Sequence, residues 1–336
     1  MTPQETSIAQ IKAEVVCDTR WRGQRITSVL IRHPRVIHAE LLRHRSFSFQ
    51  VASSRAVPTP LLLKEVMETP YVPFSWLLNQ KGMAGGEDLS EEEQAEATEL
   101  WLWGRDQAAK VVSGLHRLKS HKQYTNRPLE PYLFFPALIT ATNWGNFFNL
   151  RVHPAAMPEM QALARAVKEA MEESTPASRH FHLPFLKEEE VATPEAIQES
   201  VAKLRLPPEI VEQLEARVDP DLMKLLRYET PRDADSLVLL GLISAARCAR
   251  LSYARLDGNP QDNTFDLTHG LHHLEHGHWS ISEHQAFSGP SFPEDRWASA
   301  VTRYVYDRYP RSNFRFPWVQ MRKLFTNEAV FLGGDP

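Results

Sequence analysis

Three arginines and two adjacent serines crowd the stretch LLRHRSFSFQVASSRAVP, residues 41–58: Arg43, Arg45, Arg55, Ser53 and Ser54. No carboxylate stands among them. From Arg20 to Arg55 there are eight arginines, no lysine and one acid, Glu40. Positive charge at this density is costly to pack unless an anion is to be met. The planar guanidinium fork suits phosphate or carboxylate better than an ammonium does. Ser53, Ser54 and Arg55 could hold a phosphate through hydroxyls, amides and a guanidinium. The plainer alternative is a surface loop whose arginines pair within the molecule.

Two further clusters could carry chemistry. Six of the 14 histidines fall between His269 and His284. Within them, His272-His273-Leu274-Glu275-His276 fits the H-x-x-E-H pattern of inverted zinc peptidases, with His272 and His276 one helical turn apart. No third ligand is marked downstream apart from Glu283, so a helix-end cluster serving another ligand is the favoured reading. In TATNWGNFFNLR, Thr140, Asn143, Asn146, Asn149 and Arg151 are interleaved with Trp144, Phe147 and Phe148. On a helix, positions 143, 146 and 147 share a face, as do 144, 148 and 151. The mixture suits a flat heterocycle that stacks and hydrogen-bonds; an amphipathic core helix is the alternative.

The elements that must position these groups are partly legible. Residues 24–34, QRITSVLIRHP, alternate and carry β-branched side chains, which predicts a strand. Val36, Ile37, Leu41 and Leu42 recur at helical spacing and predict a short helix from near Pro34 that delivers the first arginines at its end. VPTPLLLKEVMETPYVPFSW is punctuated by proline and reads as irregular. Ser90 with Glu93 forms a capping box for a long helix to about Ser120, its acidic run a solvated face. MPEMQALARAVKEAMEE predicts another helix, SLVLLGLISAARCARLSYARL a buried one, and the histidine-rich stretch a further one. The expected division is 1–185, a polar helical connector or insertion at 186–235, and 236–336 ending in an aromatic, basic tail, NFRFPWVQMRKLF.

Composition excludes several classes. The chain has 336 residues, 42% hydrophobic and 24% charged, with net charge −4. That is ordinary for a soluble globular protein with a sizeable core and argues against nucleic acid as partner of the whole surface. Two cysteines, Cys17 and Cys248, give no disulfide framework or cysteine metal site. The N-terminus lacks a basic start and an apolar run, no stretch approaches the roughly 20 apolar residues of a membrane span, and a cytoplasmic setting is expected.

Four segments together resemble the flavin-dependent thymidylate synthases. Arg43-His44-Arg45, seven residues and then Ser53 match that family's R-H-R segment, which continues here with Ser54 and Arg55. NFFNLR at 146–151 resembles its asparagine-containing helix. Ala249-Arg250-Leu251-Ser252-Tyr253 and Gly277-His278-Trp279-Ser280-Ile281-Ser282-Glu283-His284 resemble its ARxSY and GHxSxxEH segments. In most members those two come first; here they come last, so the chain looks circularly permuted, as in phage-like members. Permutation is tolerable where the original termini lie close together at the surface.

The resemblance implies an α+β fold with a mixed or antiparallel sheet and long helices, a homotetramer, and FAD bound between subunits. It implies conversion of dUMP to dTMP, with methylenetetrahydrofolate as carbon donor and NADPH as the reductant of the flavin. By carry-over, Arg43, His44, Arg45, Thr140, Thr142, Asn146, Ser252, His278 and Ser280 would contact FAD. Glu40, Arg43, Ser53, Ser54, Arg55, Arg127 and Arg151 would contact dUMP, with Arg151 and Ser53 in catalytic positions and no metal. Arg151 would stabilise negative charge on the uracil so that C5 becomes nucleophilic, without an enzyme thiolate. Departures bear on the substrate: Gln50 and Val51 replace the usual asparagine-glutamate, and Glu40 stands where glutamine is usual. They open two alternatives, another pyrimidine nucleotide or a hydroxymethyl product. A third alternative is a catalytically silent nucleotide- or nucleic-acid-binding protein using the arginine segment and the tail.

Overall fold

The computed structural model describes residues 2–81, 85–204, 233–253, 263–275, 279–288, 313–315 and 317–325, the side chains of 252, 253, 273–275, 279 and 324 excepted. It is an α+β chain. Among the described residues a five-stranded sheet has the order β3-β4-β2-β1-β5 and a second sheet the order β6-β7-β8. The strands are β1 (Lys12–Trp21), β2 (Gln24–Pro34), β3 (Ser48–Val51), β4 (Phe134–Ala141), β5 (Ala177–Ser178), β6 (Phe181–His182), β7 (Ala286–Ser288) and β8 (Trp318–Gln320). All ladders are antiparallel except β1 with β5. The helices are α1 (Pro3–Ala9), α2 (His38–Leu41), α3 (Thr59–Glu68), α4 (Glu91–Arg117), α5 (Lys122–Thr125), α6 (Gly145–Arg151), α7 (Pro158–Glu173), α8 (Glu188–Val191), α9 (Pro194–Ala202), α10 (Ala234–Tyr253) and α11 (Asn263–Glu275).

β1 and β2 form a hairpin whose turn is Arg22-Gly23, both at positive φ (47° and 77°). That is the two-residue geometry whose twist matches the flanking strands, and Gly23 adopts it without strain. Period-two alternation then assigns the faces of the sheet. Val29, Ile31, Ala137 and Ile139 pack with Met160, Leu163 and Val167 of α7 and Phe147 of α6. Leu30 and Leu138 point the other way, toward Cys248 and Leu251 of α10. A bulge between Val15 and Cys17 re-aims β1, so that Cys17 and Ser28 become partners in the ladder.

The second core surrounds α10, which is buried on nearly every side. α11 crosses it closely: a Cβ on Gly270 would lie 2.7 Å from the Leu242 carbonyl oxygen, so only glycine fits there. Arg247, 2% exposed, is balanced by Glu190 (3.0 Å) and Asp266 (3.1 Å), and Arg250 also pairs with Asp266. The described part of the expected connector is integral to this core: Val191, Ile197 and Leu204 pack with α10. The tail is also core. Phe314, Trp318, Met321 and Phe325 are buried, and Trp318 Nε1 donates to the Gln24 carbonyl at 3.1 Å. Those aromatics cannot form the surface that the binding-protein alternative asks of them. Among the described residues no helix is long and apolar enough to cross a membrane.

Candidate functional site

The arginine cluster divides in two. Arg25 pairs with Asp18, Arg32 with Glu65 and Arg35 with Glu130, so these satisfy the intramolecular alternative. Arg43, Arg45 and Arg55 are exposed, and no carboxylate among the described residues pairs with them. The cause is local. Ile37 and Leu41 bury fully and pin α2, and the chain then turns tightly, the amides of Arg43 and His44 donating to the carbonyls of Glu40 and Leu41. Within this turn His44 faces inward while its two arginine neighbours face out.

His44 is 7% exposed and lies against Phe47 (ring centroids 5.5 Å) and edge-on to Phe147 (5.0 Å). Phe147 anchors α6, whose last residue is Arg151. Arg151 Nε donates to His44 Nε2 at 3.1 Å, and its Nη1 reaches Glu40 Oε2 at 3.0 Å. Burial, then the neighbouring guanidinium, pushes His44 down to about 4. It is therefore a neutral acceptor near pH 7 and fixes the Arg151 fork without adding charge. Two sequence-predicted segments more than a hundred positions apart thus meet at one guanidinium. Asn146 and Asn149 lie exposed on the same helix.

A second polar group forms where β3 ends. Ser53 is half-buried and extended, and Ser54–Ala56 make a single tight turn. Asn126 holds that turn: its Nδ2 donates to the carbonyls of Ser54 (2.8 Å) and Val57 (3.0 Å), while Thr59 donates to its Oδ1 at 2.7 Å. Lys122 Nζ donates to the Ala56 carbonyl at 3.0 Å. The Ser54 hydroxyl donates to Glu130 Oε1 at 2.5 Å, and Arg127 Nη1 approaches the same oxygen at 2.7 Å. So Ser54 and Arg127 are brought together, on a carboxylate that sequence reasoning overlooked. Its one signal was the three-residue spacing from Arg127 in NRPLEP.

The last motif enters from the opposite face of the sheet. Thr140 is fully buried; it shares a 2.5 Å hydrogen bond with Ser28 and a 2.9 Å one with His284 Nδ1. Ser28 continues to His182 Nε2 at 2.8 Å, and His182 Nδ1 to Thr19 at 3.0 Å. The Thr140 hydroxyl is thus committed within the interior. Thr142 accepts from the Arg315 amide at 2.9 Å. Ser280 is exposed in the turn Trp279–Ser282. Ser252 lies in the last turn of α10, its side chain outside the described residues, as is all of His278. His276 of the H-x-x-E-H pattern is likewise outside them; among the described residues no three His, Cys, Asp or Glu side chains are placed to hold a metal.

No family model matches the chain, and no curated protein matches it. Solved structures similar to it include those of a pyrimidine-nucleotide methylase. These are of the UMP/dUMP methylase PolB from Streptomyces cacaoi. The form bound with 5-Br dUMP matches at TM-score 0.40 and 16% identity, over 48% of this chain and 90% of that one. The form bound with 5-Br UMP matches at TM-score 0.41 and 16% identity, over 48% and 89%.

Proposed function

We propose that this chain modifies the pyrimidine ring of a nucleotide in the manner of the flavin-dependent thymidylate synthases, converting dUMP to dTMP with methylenetetrahydrofolate. The observation that carries the proposal is the convergence of Glu40, His44 and Arg151, two motif segments meeting as one preorganised guanidinium. Its donors would face the uracil edge and stabilise negative charge there, at no reorganisation cost during reaction. Ser53, Ser54, Arg55 and Arg127 would grip the phosphate.

The residues at hand fit FAD. Arg43, Arg45 and Asn146 are exposed beside a neutral imidazole backed by Phe47 and Phe147, a donor-rich rim on an aromatic base suited to a planar, electron-rich ring. Bound and reduced by NADPH, FAD would supply the hydride. Ser280 and the segment around His278 would complete its binding. Assembly as a homotetramer belongs to the same proposal: α4 leaves Leu100 (62%), Trp103 (64%) and Val111 (54%) exposed, as is Leu118 (74%) just past its end, and Met67 and Trp103 line a groove of about 770 Å³. Such a stripe is unusual on a surface meant for water.

Glu40 favours a second reading. Its carboxylate takes one arm of the Arg151 fork, so the ring or the transferred group could differ from that of dUMP methylation, hydroxymethylation being the nearest case. Mass spectrometry of the nucleotide product decides between them. For either product, Arg151→Ala is expected to lower turnover by about 10²-fold or more while the protein stays yellow with bound flavin; retained turnover would refute the role of Arg151.

A further inference from the structure

Glu130 sits where an anion would be expected to bind. Its Oε1 accepts from the Ser54 hydroxyl at 2.5 Å and pairs with Arg127 at 2.7 Å, while Oε2 faces Arg35 Nε at 3.6 Å. The supports of this arrangement are rigid. Ser54 is fixed by Asn126, Arg35 lies over the Phe135 ring (5.2 Å), and Glu130 itself stands between Pro128 and Pro131 in the tight helix Arg127–Tyr132. Two guanidiniums, those of Arg35 and Arg127, therefore meet at one carboxylate. A hydroxyl donor and two guanidiniums converging on two oxygens is the donor set of a phosphate site.

We propose that the Glu130 carboxylate holds the place of a phosphate: Ser54, Arg35 and Arg127 form an anion site across which Glu130 lies, and a phosphate monoester binds by displacing it. Pro128 and Pro131 restrain the backbone on either side of Leu129-Glu130, so displacement is a side-chain rotation, and the Glu130 side chain is 17% exposed. Glu130 then sets specificity. It imposes a toll on every anion, which weak monovalent anions do not overcome and a dianionic phosphate does. The inference deepens the nucleotide reading above, on which it rests for its substrate.

The test is calorimetric binding of dUMP, deoxyuridine and inorganic phosphate to the full chain and to Glu130→Gln, which keeps the shape and an acceptor for Ser54 but removes the charge. The variant is expected to bind dUMP and phosphate about fivefold tighter, consistent with losing two competing partly exposed ion pairs, with deoxyuridine unchanged. Adding Arg127→Ala should abolish the gain, and so should roughly 1 M salt. Glu130→Ala, free of the amide, provides a second variant with the same expectation. Unchanged or weaker phosphate and dUMP binding in both variants overturns the inference. The two readings fail separately. A phosphate gain with no dUMP binding by any form keeps the anion site and removes the nucleotide reading; dUMP binding that ignores Glu130 does the reverse.

Discussion

Lowering the pH should unfold this protein well before its carboxylates titrate. His33, His182 and His284 are each 0% exposed, and burial pushes each down to about 3. In the unfolded chain a histidine titrates near 6.5. The folded state therefore binds protons less readily than the unfolded one. Stability is complete above about pH 6.5 and is lost as the pH falls from there toward 3. At pH 5 each histidine costs about 2 kcal/mol by linkage, so the three cost about 6 kcal/mol, a large share of the 5–15 kcal/mol that typically separates folded from unfolded chains. At about pH 5.5 the unfolded state holds nearly three more protons, and stability should fall by roughly 4 kcal/mol per pH unit.

The assay is urea unfolding followed by tryptophan fluorescence at a series of pH values from about 7.5 to 5. The midpoint should hold down to about pH 6.5 and then fall steeply. His284→Gln should flatten the fall by about a third, because one of the three titrations is gone. A midpoint that stays level to pH 5 would refute the reasoning. So would a His284→Gln profile parallel to that of the parent chain.

Three other outcomes follow from single contacts. Asp266→Ala removes the carboxylate that Arg247 and Arg250 share and leaves Arg247 with Glu190; it should cost about 3 kcal/mol, the low end for a broken buried pair, read as a lower melting temperature. Asn126→Ala removes the donors to the Ser54 and Val57 carbonyls; it should cost about 1–3 kcal/mol and raise KM for the nucleotide more than it lowers kcat. Glu40→Gln frees one arm of Arg151 and should tighten dUMP binding by about threefold in calorimetry; an unchanged affinity would separate Glu40 from the substrate.

What the sequence disclosed depended on whether one periodicity governed each segment. β2 alternates, and it is a strand from Gln24 to Pro34. Ser90 and Glu93 form both halves of their capping box and open α4. α7 and α10 follow their apolar spacing. β1 was missed because the bulge at Val15/Cys17 shifts its alternation by one residue midway. β4 was missed because it is buried on both faces and contains Pro136, which argues against an inner strand. The contradiction resolves at the neighbouring strand. The Pro136 carbonyl accepts from the Ala52 amide at 3.1 Å, so its missing N–H points to that same side, where β3 has just left the ladder. The prolines around α3 predict an irregular chain, yet Pro60 stands in the helix's first turn, where the absent N–H is no loss.

The site was legible as pieces and not as an assembly. Types and spacing named Arg43, Arg45 and Asn146–Arg151, and the family resemblance added His44, but nothing in them says that His44 turns inward while its neighbours face solvent. That is decided by Phe47 and Phe147, which offer the imidazole an aromatic wall and offer a guanidinium none of the water it needs. The interior chain from Thr19 through His182, Ser28 and Thr140 to His284 was invisible for a related reason. Thr19, Ser28 and His182 carry no motif, and nothing in the segments of Thr140 and His284 says that these two meet until the two sheets close on one another. Closed, it ties the last residue of the GHxSxxEH segment to β4 at Thr140, which pairs with Ser48 of β3 in the ladder. Three motif segments that stand far apart along the chain are thereby fixed to one central strand and the helix that follows it, and their relative order in the sequence places no constraint on their meeting.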